Sequence, residues 1–66
     1  MFYVIKNFDT VGNLRGYYYS PDGSCQATLD TATQYSSKQD AIDAINNEAK
    51  ALYSQDGFFT IEEYMV

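Results

Sequence analysis

The chain has 66 residues, of which 45% are hydrophobic and 20% are charged. This length accommodates a single domain, residues 1–66, and the composition favours a folded chain over a disordered one. His is absent and Cys25 is the only cysteine, which excludes a disulfide framework, a cysteine–histidine zinc site and histidine-based catalysis. We therefore expect no enzymatic activity, no cofactor and no metal site.

Nine acidic residues against four basic ones give a net charge of −5. Binding to nucleic acid or to anionic lipid depends on clustered cations, so we expect no direct nucleic-acid partner and no membrane partner. The apolar runs are far shorter than the roughly 20 residues that cross a bilayer, and Lys6 and Asn7 interrupt the first of them. An unpaired cysteine fits a reducing compartment, so the expected location is the cytoplasm.

The first two predicted elements form a hairpin. Residues Met1–Phe8 are rich in aromatic and β-branched side chains, which favour a strand. The segment Asp9–Asn13 has turn composition, because Gly12 and Asn13 are both suited to a positive φ. The second arm of the hairpin is then Leu14–Tyr19.

A second turn is predicted at Ser20–Gly23, because Pro suits position i+1 and Gly position i+3 of a type I turn. It is followed by a short third strand within Ser24–Thr28. Residues Leu29–Tyr35 carry mixed signals and predict an irregular segment or one helical turn.

The strongest local signal begins at Ser36, which forms a predicted capping box with Gln39. Apolar residues then recur at helical spacing and polar residues lie opposite them. This pattern predicts a helix from about Ser37 to Tyr53, ended by Gly57. The side chains expected to face the sheet are those of Ile42, Ile45, Ala49 and Leu52.

The final segment, Phe58–Met65, returns to strand composition. The predicted fold class is α+β: one small domain with a mainly antiparallel sheet of three or four strands and one amphipathic helix on one face, in the order ββ(β)αβ. One helix covers one face of a sheet, so the other face must meet solvent or a partner.

The chain contains eleven aromatic residues, seven of them Tyr, which are more than so small a core can enclose. They have two interpretations: tyrosines that tile an exposed sheet face as cross-strand pairs, or a protein-binding surface. We expect Tyr18 to point away from the helix. The candidate partner-binding residues are Tyr3, Tyr17, Tyr18, Tyr19, Tyr64, Asp40, Asp43, Glu62 and Glu63.

The acidic residues in that set form an expected rim. Their simplest interpretation is a solvated surface that keeps the chain soluble. Two alternatives to a binding module remain: an acidic mimic of nucleic acid that occupies a basic channel on another protein, and a homodimer built by the exposed face or by an edge strand.

Four stretches together resemble small, mostly uncharacterised proteins of bacteriophages and mobile elements: Tyr3–Lys6, Gly16–Tyr19, Ala32–Ala41 and Phe59–Glu63. The resemblance covers nearly the whole chain as a pattern and includes no chemical motif. It implies a phage or prophage accessory protein that binds and inhibits a host or defence protein, as anti-CRISPR proteins do. It assigns no site residue.

Overall fold

A computed structural model describes residues 1–49 and 57–65 of the chain. Its elements are strands β1 (Phe2–Phe8), β2 (Leu14–Tyr19) and β3 (Ser24–Gln26), helix α1 (Lys38–Ala44) and strand β4 (Phe58–Tyr64). The strands form one antiparallel sheet in the order β3-β2-β1-β4, and α1 packs on one face of it. The predicted α+β class is confirmed.

The turn between β1 and β2 is organised by the side chain of Asp9. Its carboxylate accepts hydrogen bonds from the backbone N–H groups of Val11, at 3.0 Å, and Asn13, at 2.8 Å. The Asn13 N–H also lowers the pKa of the Asp9 carboxyl. Of the two candidates for a positive φ, Gly12 adopts it, at 91°, and Asn13 does not.

A bulge follows this turn. The β1–β2 register shifts between Asn7 and Phe8, and Gly16 lies buried beside it. A Cβ atom at Gly16 would lie 2.6 Å from the carbonyl oxygen of Gln26 on β3. Only glycine therefore lets β2 and β3 approach this closely.

Farther from the turn, residues 33–35 join the ladder between β1 and β2. Tyr3 and Tyr35 exchange backbone hydrogen bonds of 2.9 and 2.8 Å, and the Thr33 N–H donates to the Tyr18 carbonyl at 3.0 Å. The segment predicted to be irregular contains one 3₁₀ turn, Leu29–Thr31. Its later residues are thus fixed to the sheet by backbone hydrogen bonds.

The helix begins where the sequence indicates, but with a different cap. Ser37 is the N-cap residue, and its hydroxyl accepts the backbone N–H of Asp40 at 3.1 Å. The predicted capping residue, Ser36, instead donates to the Asp40 carboxylate at 3.2 Å. The Gln39 amide bonds Asp43 at 3.0 Å rather than returning to the cap, so the capping-box prediction is wrong in its residues.

Helix α1 continues into a single π-helical turn, Ile45–Ala49. The remainder of the predicted helix, including Leu52 and Tyr53, lies outside the described residues, as does the side chain of Ala49.

The core forms between α1 and the sheet. Ile5 and Tyr18 from the sheet and Ala41 and Ala44 from α1 are buried together. The partly buried side chains packed against them are Tyr3, Tyr35, Ile45, Phe59 and Ile61. The small alanines let the helix approach the sheet closely enough to enclose large rings.

This packing confirms that Ile45 faces the sheet. Ile42 is half-buried and lies outside that cluster, so its predicted role is taken by the neighbouring alanines. A longer side chain at their positions would meet the rings of the sheet.

Truncating Ile5 to Ala tests this core. Ile5 is completely buried, so we expect a loss of about 2–5 kcal/mol in the free energy of unfolding by urea. Val11→Ala is the control: Val11 is 79% exposed in the β1–β2 turn, and its truncation should change stability by less than about 0.5 kcal/mol. Equal effects of the two changes would contradict the described core.

Candidate functional site

The sheet presents a second face, opposite to α1. Ile5 faces the helix, so its neighbours along β1 face the other way, and the strand register extends this division to β2 and β4. We call this second surface the aromatic face. It includes Phe2, Val4, Lys6, Phe8, Tyr17, Tyr19, Phe58, Thr60, Glu62 and Tyr64.

Two stacked ring pairs lie at opposite ends of the aromatic face. The rings of Phe2 and Tyr64 have centroids 5.5 Å apart and planes inclined by 19°. Those of Phe8 and Phe58 are 5.2 Å apart and inclined by 13°. Each pair joins directly opposed residues of β1 and β4, so the register itself creates both contacts.

An ion pair lies between the stacked rings. The Lys6 ammonium is 3.7 Å from a Glu62 carboxylate oxygen and 6.0 Å from the centre of the Tyr17 ring. The lysine charge is thus met both by a carboxylate and by an aromatic ring. The centre of the aromatic face is therefore polar but electrically balanced.

Several rings of the aromatic face are accessible to solvent, whereas Val4, near its middle, is not. Phe58 is 48% exposed, whereas Val4 is completely buried. Tyr17, Tyr19 and Tyr64 are half-buried. Such partly covered rings offer apolar area while their neighbours hold them in place.

The structure divides the predicted site residues between two sides of the molecule. Tyr17, Tyr19, Tyr64 and Glu62 belong to the aromatic face. Tyr3 and Glu63 lie on the helix side, where the Tyr3 hydroxyl donates to the Glu63 carboxylate at 3.5 Å.

The predicted orientation of Tyr18 is wrong. Its side chain is completely buried against α1, and its hydroxyl donates to the Glu48 carboxylate at 3.4 Å. Three consecutive tyrosines on a strand must alternate, so the outward pair is Tyr17 and Tyr19. Tyr18 is therefore removed from the candidate binding surface.

The predicted acidic rim is not assembled around the aromatic face. Asp40 and Asp43 are exposed on α1, which packs on the other side of the sheet. Of the four acidic site residues, only Glu62 projects from the aromatic face, where it contacts Lys6.

A polar pocket that the sequence did not indicate lies on the helix side. Glu48 accepts hydrogen bonds there from Ser20, at 3.1 Å, and from Tyr18, at 3.4 Å. The volume of the pocket is about 440 Å³, and its lining consists of Tyr18, Ser20, Pro21, Asp22, Gly23, Asn47 and Glu48.

Two tyrosine hydroxyls titrate abnormally beside this pocket. Burial and, less strongly, the nearby charge of Glu48 raise the pKa of Tyr35 to about 12. Burial followed by the same carboxylate also raises the pKa of Tyr18. The Tyr35 hydroxyl is buried without a hydrogen-bond partner among the described residues, so its ionisation in place is disfavoured.

The described part of the chain contains no group of three His, Cys, Asp or Glu residues placed to hold a metal ion. None of its helices is long and apolar enough to cross a membrane.

No protein-family model matches this chain, and neither the curated proteins nor the solved structures include a significant match to it.

Replacing Tyr35 with Phe should change how stability depends on pH. Because the Tyr35 pKa rises from 10.0 to about 12 on folding, ionisation of this group does not affect stability below pH 10 and lowers it as the pH rises from 10 towards 12. Urea unfolding at intervals across this range should show a shallower loss for Tyr35→Phe than for the wild type. If the stability of the two proteins fell equally with rising pH, the raised pKa would not belong to Tyr35.

At neutral pH, comparison with the matched variant Tyr18→Phe distinguishes the contributions that the Tyr18 and Tyr35 hydroxyls make to stability. Tyr35→Phe removes a buried hydroxyl that has no described partner, so it should leave stability unchanged or raise it. Tyr18→Phe removes a hydrogen bond to Glu48 and should cost about 0.5–1.5 kcal/mol. The reverse order in urea unfolding would show that the hydrogen bonding is assigned to the wrong tyrosine.

Proposed function

We propose that this chain is a non-enzymatic protein-binding module and that the aromatic face is its binding surface. The observation that carries the proposal is the pair of stacked ring contacts, Phe2–Tyr64 and Phe8–Phe58, on the sheet face opposite α1. Aromatic side chains are enriched at protein interfaces, where single exposed rings often act as anchors.

The charges indicate which chemistry the partner needs. On the aromatic face, Lys6 is already engaged with Glu62, so the face lacks the positive groove that a stacking platform for single-stranded nucleic acid requires. The whole chain carries a net charge of −5, which attracts a positively charged partner over distance. We therefore propose a protein partner with an apolar patch and an overall positive charge.

The sequence resemblance suggests what kind of protein this is. Those accessory proteins of phages and mobile elements whose action is understood often bind and block host or defence proteins, so we propose such a target, bound in the cytoplasm and inhibited by the binding. Direct mimicry of nucleic acid has less support, because Asp40 and Asp43 on α1 and Glu62 on the aromatic face lie on different sides of the sheet and do not form one row of charge.

Phe58→Ala is the sharpest test of the aromatic face. Phe58 is 48% exposed, so its truncation should leave the fold intact and, if the ring is an anchor, weaken binding by more than about 1–2 kcal/mol. The measurement is capture of bacterial lysate proteins by the immobilised chain, followed by affinity measurement with each retained protein. Val11→Ala, an exposed apolar truncation in the β1–β2 turn, is the control and should bind as the wild type does.

Reversing the charges of Asp40 and Asp43 to Lys tests the competing surface on α1. If the aromatic face is the site, these changes should mainly slow association and alter its salt dependence. Loss of binding in this variant, together with normal binding by Phe58→Ala, would move the site to the acidic surface of α1.

A further inference from the structure

The two ring pairs of the aromatic face differ in the groups beside them. Residues two apart along a strand share a face, so Glu62 lies next to Tyr64, whose ring is stacked on that of Phe2. At the other end of β4, the corresponding neighbour of Phe58 is Thr60, which is uncharged. A carboxylate on β4 therefore adjoins the stacked rings at one end of the strand and not at the other.

The ion pair beside the Phe2–Tyr64 rings exposes its negative member. The side chain of Glu62 is 47% exposed, whereas that of Lys6 is 19% exposed. Lys6 belongs to β1 and also lies 6.0 Å from the centre of the Tyr17 ring on β2, and no described strand lies on the other side of β4. A group that approaches over the edge of β4 therefore meets the carboxylate before it meets the ammonium.

The Glu62 carboxylate retains capacity to accept hydrogen bonds. Its contact with Lys6 joins Nζ to Oε2 at 3.7 Å, which is longer than a hydrogen bond, and the described residues form no hydrogen bond with it. An ionised carboxylate accepts at about four lone-pair sites. Its directly opposed residue on β1, Val4, is apolar and completely buried, so it offers no competing donor. Glu62 can therefore accept a further, cationic donor from outside the chain.

We propose that Phe2, Glu62 and Tyr64 form a site for an arginine side chain of the partner protein. A guanidinium is planar and always charged, bonds a carboxylate through two parallel N–H groups and stacks on aromatic rings. It therefore matches both the exposed carboxylate and the half-buried rings beside it. The ammonium of lysine is compact and strongly hydrated, so it matches the rings less well.

This arginine site deepens the proposed function, on which it rests, by naming the group of the partner that the aromatic face recognises. The net charge of −5 attracts a positively charged protein over distance, and the Glu62 carboxylate gives that attraction a specific contact. Association should therefore weaken as salt screens the charges. The ring pair supplies the preference for arginine over lysine.

The first experiment titrates the full chain with short acetylated and amidated peptides in which leucines flank arginine, lysine or citrulline. Citrulline has nearly the shape of arginine but no charge. Backbone amide shifts in nuclear magnetic resonance spectra should show the arginine peptide binding about tenfold or more tightly than the citrulline peptide, with the lysine peptide between them. The largest shifts should lie at Phe2, Glu62 and Tyr64. The absence of saturable shifts up to about 10 mM arginine peptide, or equal binding of this peptide and either of the others, would overturn the proposal.

Glu62→Gln tests the carboxylate in the same titration. Glu62 is exposed, so the fold should persist, as circular dichroism and urea unfolding would verify, while the preference for arginine over citrulline should disappear. The matched control is Glu63→Gln, which removes the same charge from the helix side of the same strand and should keep the preference. Equal loss in the two variants would attribute the binding to net charge and exclude a site at Glu62.

The second experiment tests the ring by comparing Tyr64→Phe with Tyr64→Leu. Phenylalanine keeps an aromatic surface and leucine keeps only apolar volume. The arginine peptide should bind Tyr64→Phe as it binds the wild type and should bind Tyr64→Leu about two- to fivefold more weakly. Equal binding by the two variants would contradict the stacking of the guanidinium on this ring.

The arginine site and the proposed function can fail separately. If Phe58→Ala weakens capture of a partner protein but the arginine and citrulline peptides bind alike, the aromatic face remains the binding surface and the arginine site is wrong. If the preference for arginine depends on Glu62 but neither Phe58→Ala nor Glu62→Gln changes the capture of proteins, the site binds arginine and the proposed binding module is wrong.

Discussion

The burial of Tyr18 against α1 determines how every other part of the sheet is oriented. Its ring is enclosed with Ile5 of β1 and with Ala41 and Ala44 of α1. Because side chains alternate along a strand, this contact turns the two flanking tyrosines to the opposite face. The register between β1 and β4 then places two further ring pairs on the same face. The aromatic face is thus a consequence of a single helix packing on a single side of the sheet.

The small size of this core also leaves polar side chains in unusual environments. Asn7 is completely buried, and neither of its side-chain amide atoms has a hydrogen-bond partner among the described residues. Glu48 is the carboxylate that accepts the hydroxyls of Tyr18 and Ser20 at the end of β2. A core this small contributes only about 3–5 kcal/mol of stability, so a second copy or a protein partner that covers exposed area would add substantially to it.

Much of the secondary structure could be predicted from composition, turn residues and periodicity, because these are local properties. The bounds of β2 and the start of β4 agree with the sequence expectations, and Gly12 adopts its predicted positive φ. The capping residue could not be chosen reliably, because Ser36 and Ser37 offer the same chemistry one position apart. The run Tyr17–Tyr19 likewise gives no local indication of which ring faces inward. The Tyr3–Tyr35 pairing and the edge position of β4 depend on strand order, which is set by distant contacts.

The accessibility of individual tyrosines tests this arrangement most directly. In a nuclear magnetic resonance experiment with a photoexcited flavin dye, only rings that the dye can touch become polarised. We predict polarised signals from Tyr17 and Tyr19, which belong to the aromatic face, and none from Tyr18, which is completely buried. Polarised signals from Tyr18, together with none from Tyr17 and Tyr19, would contradict this arrangement, because the two faces of the sheet would then be assigned the wrong way round.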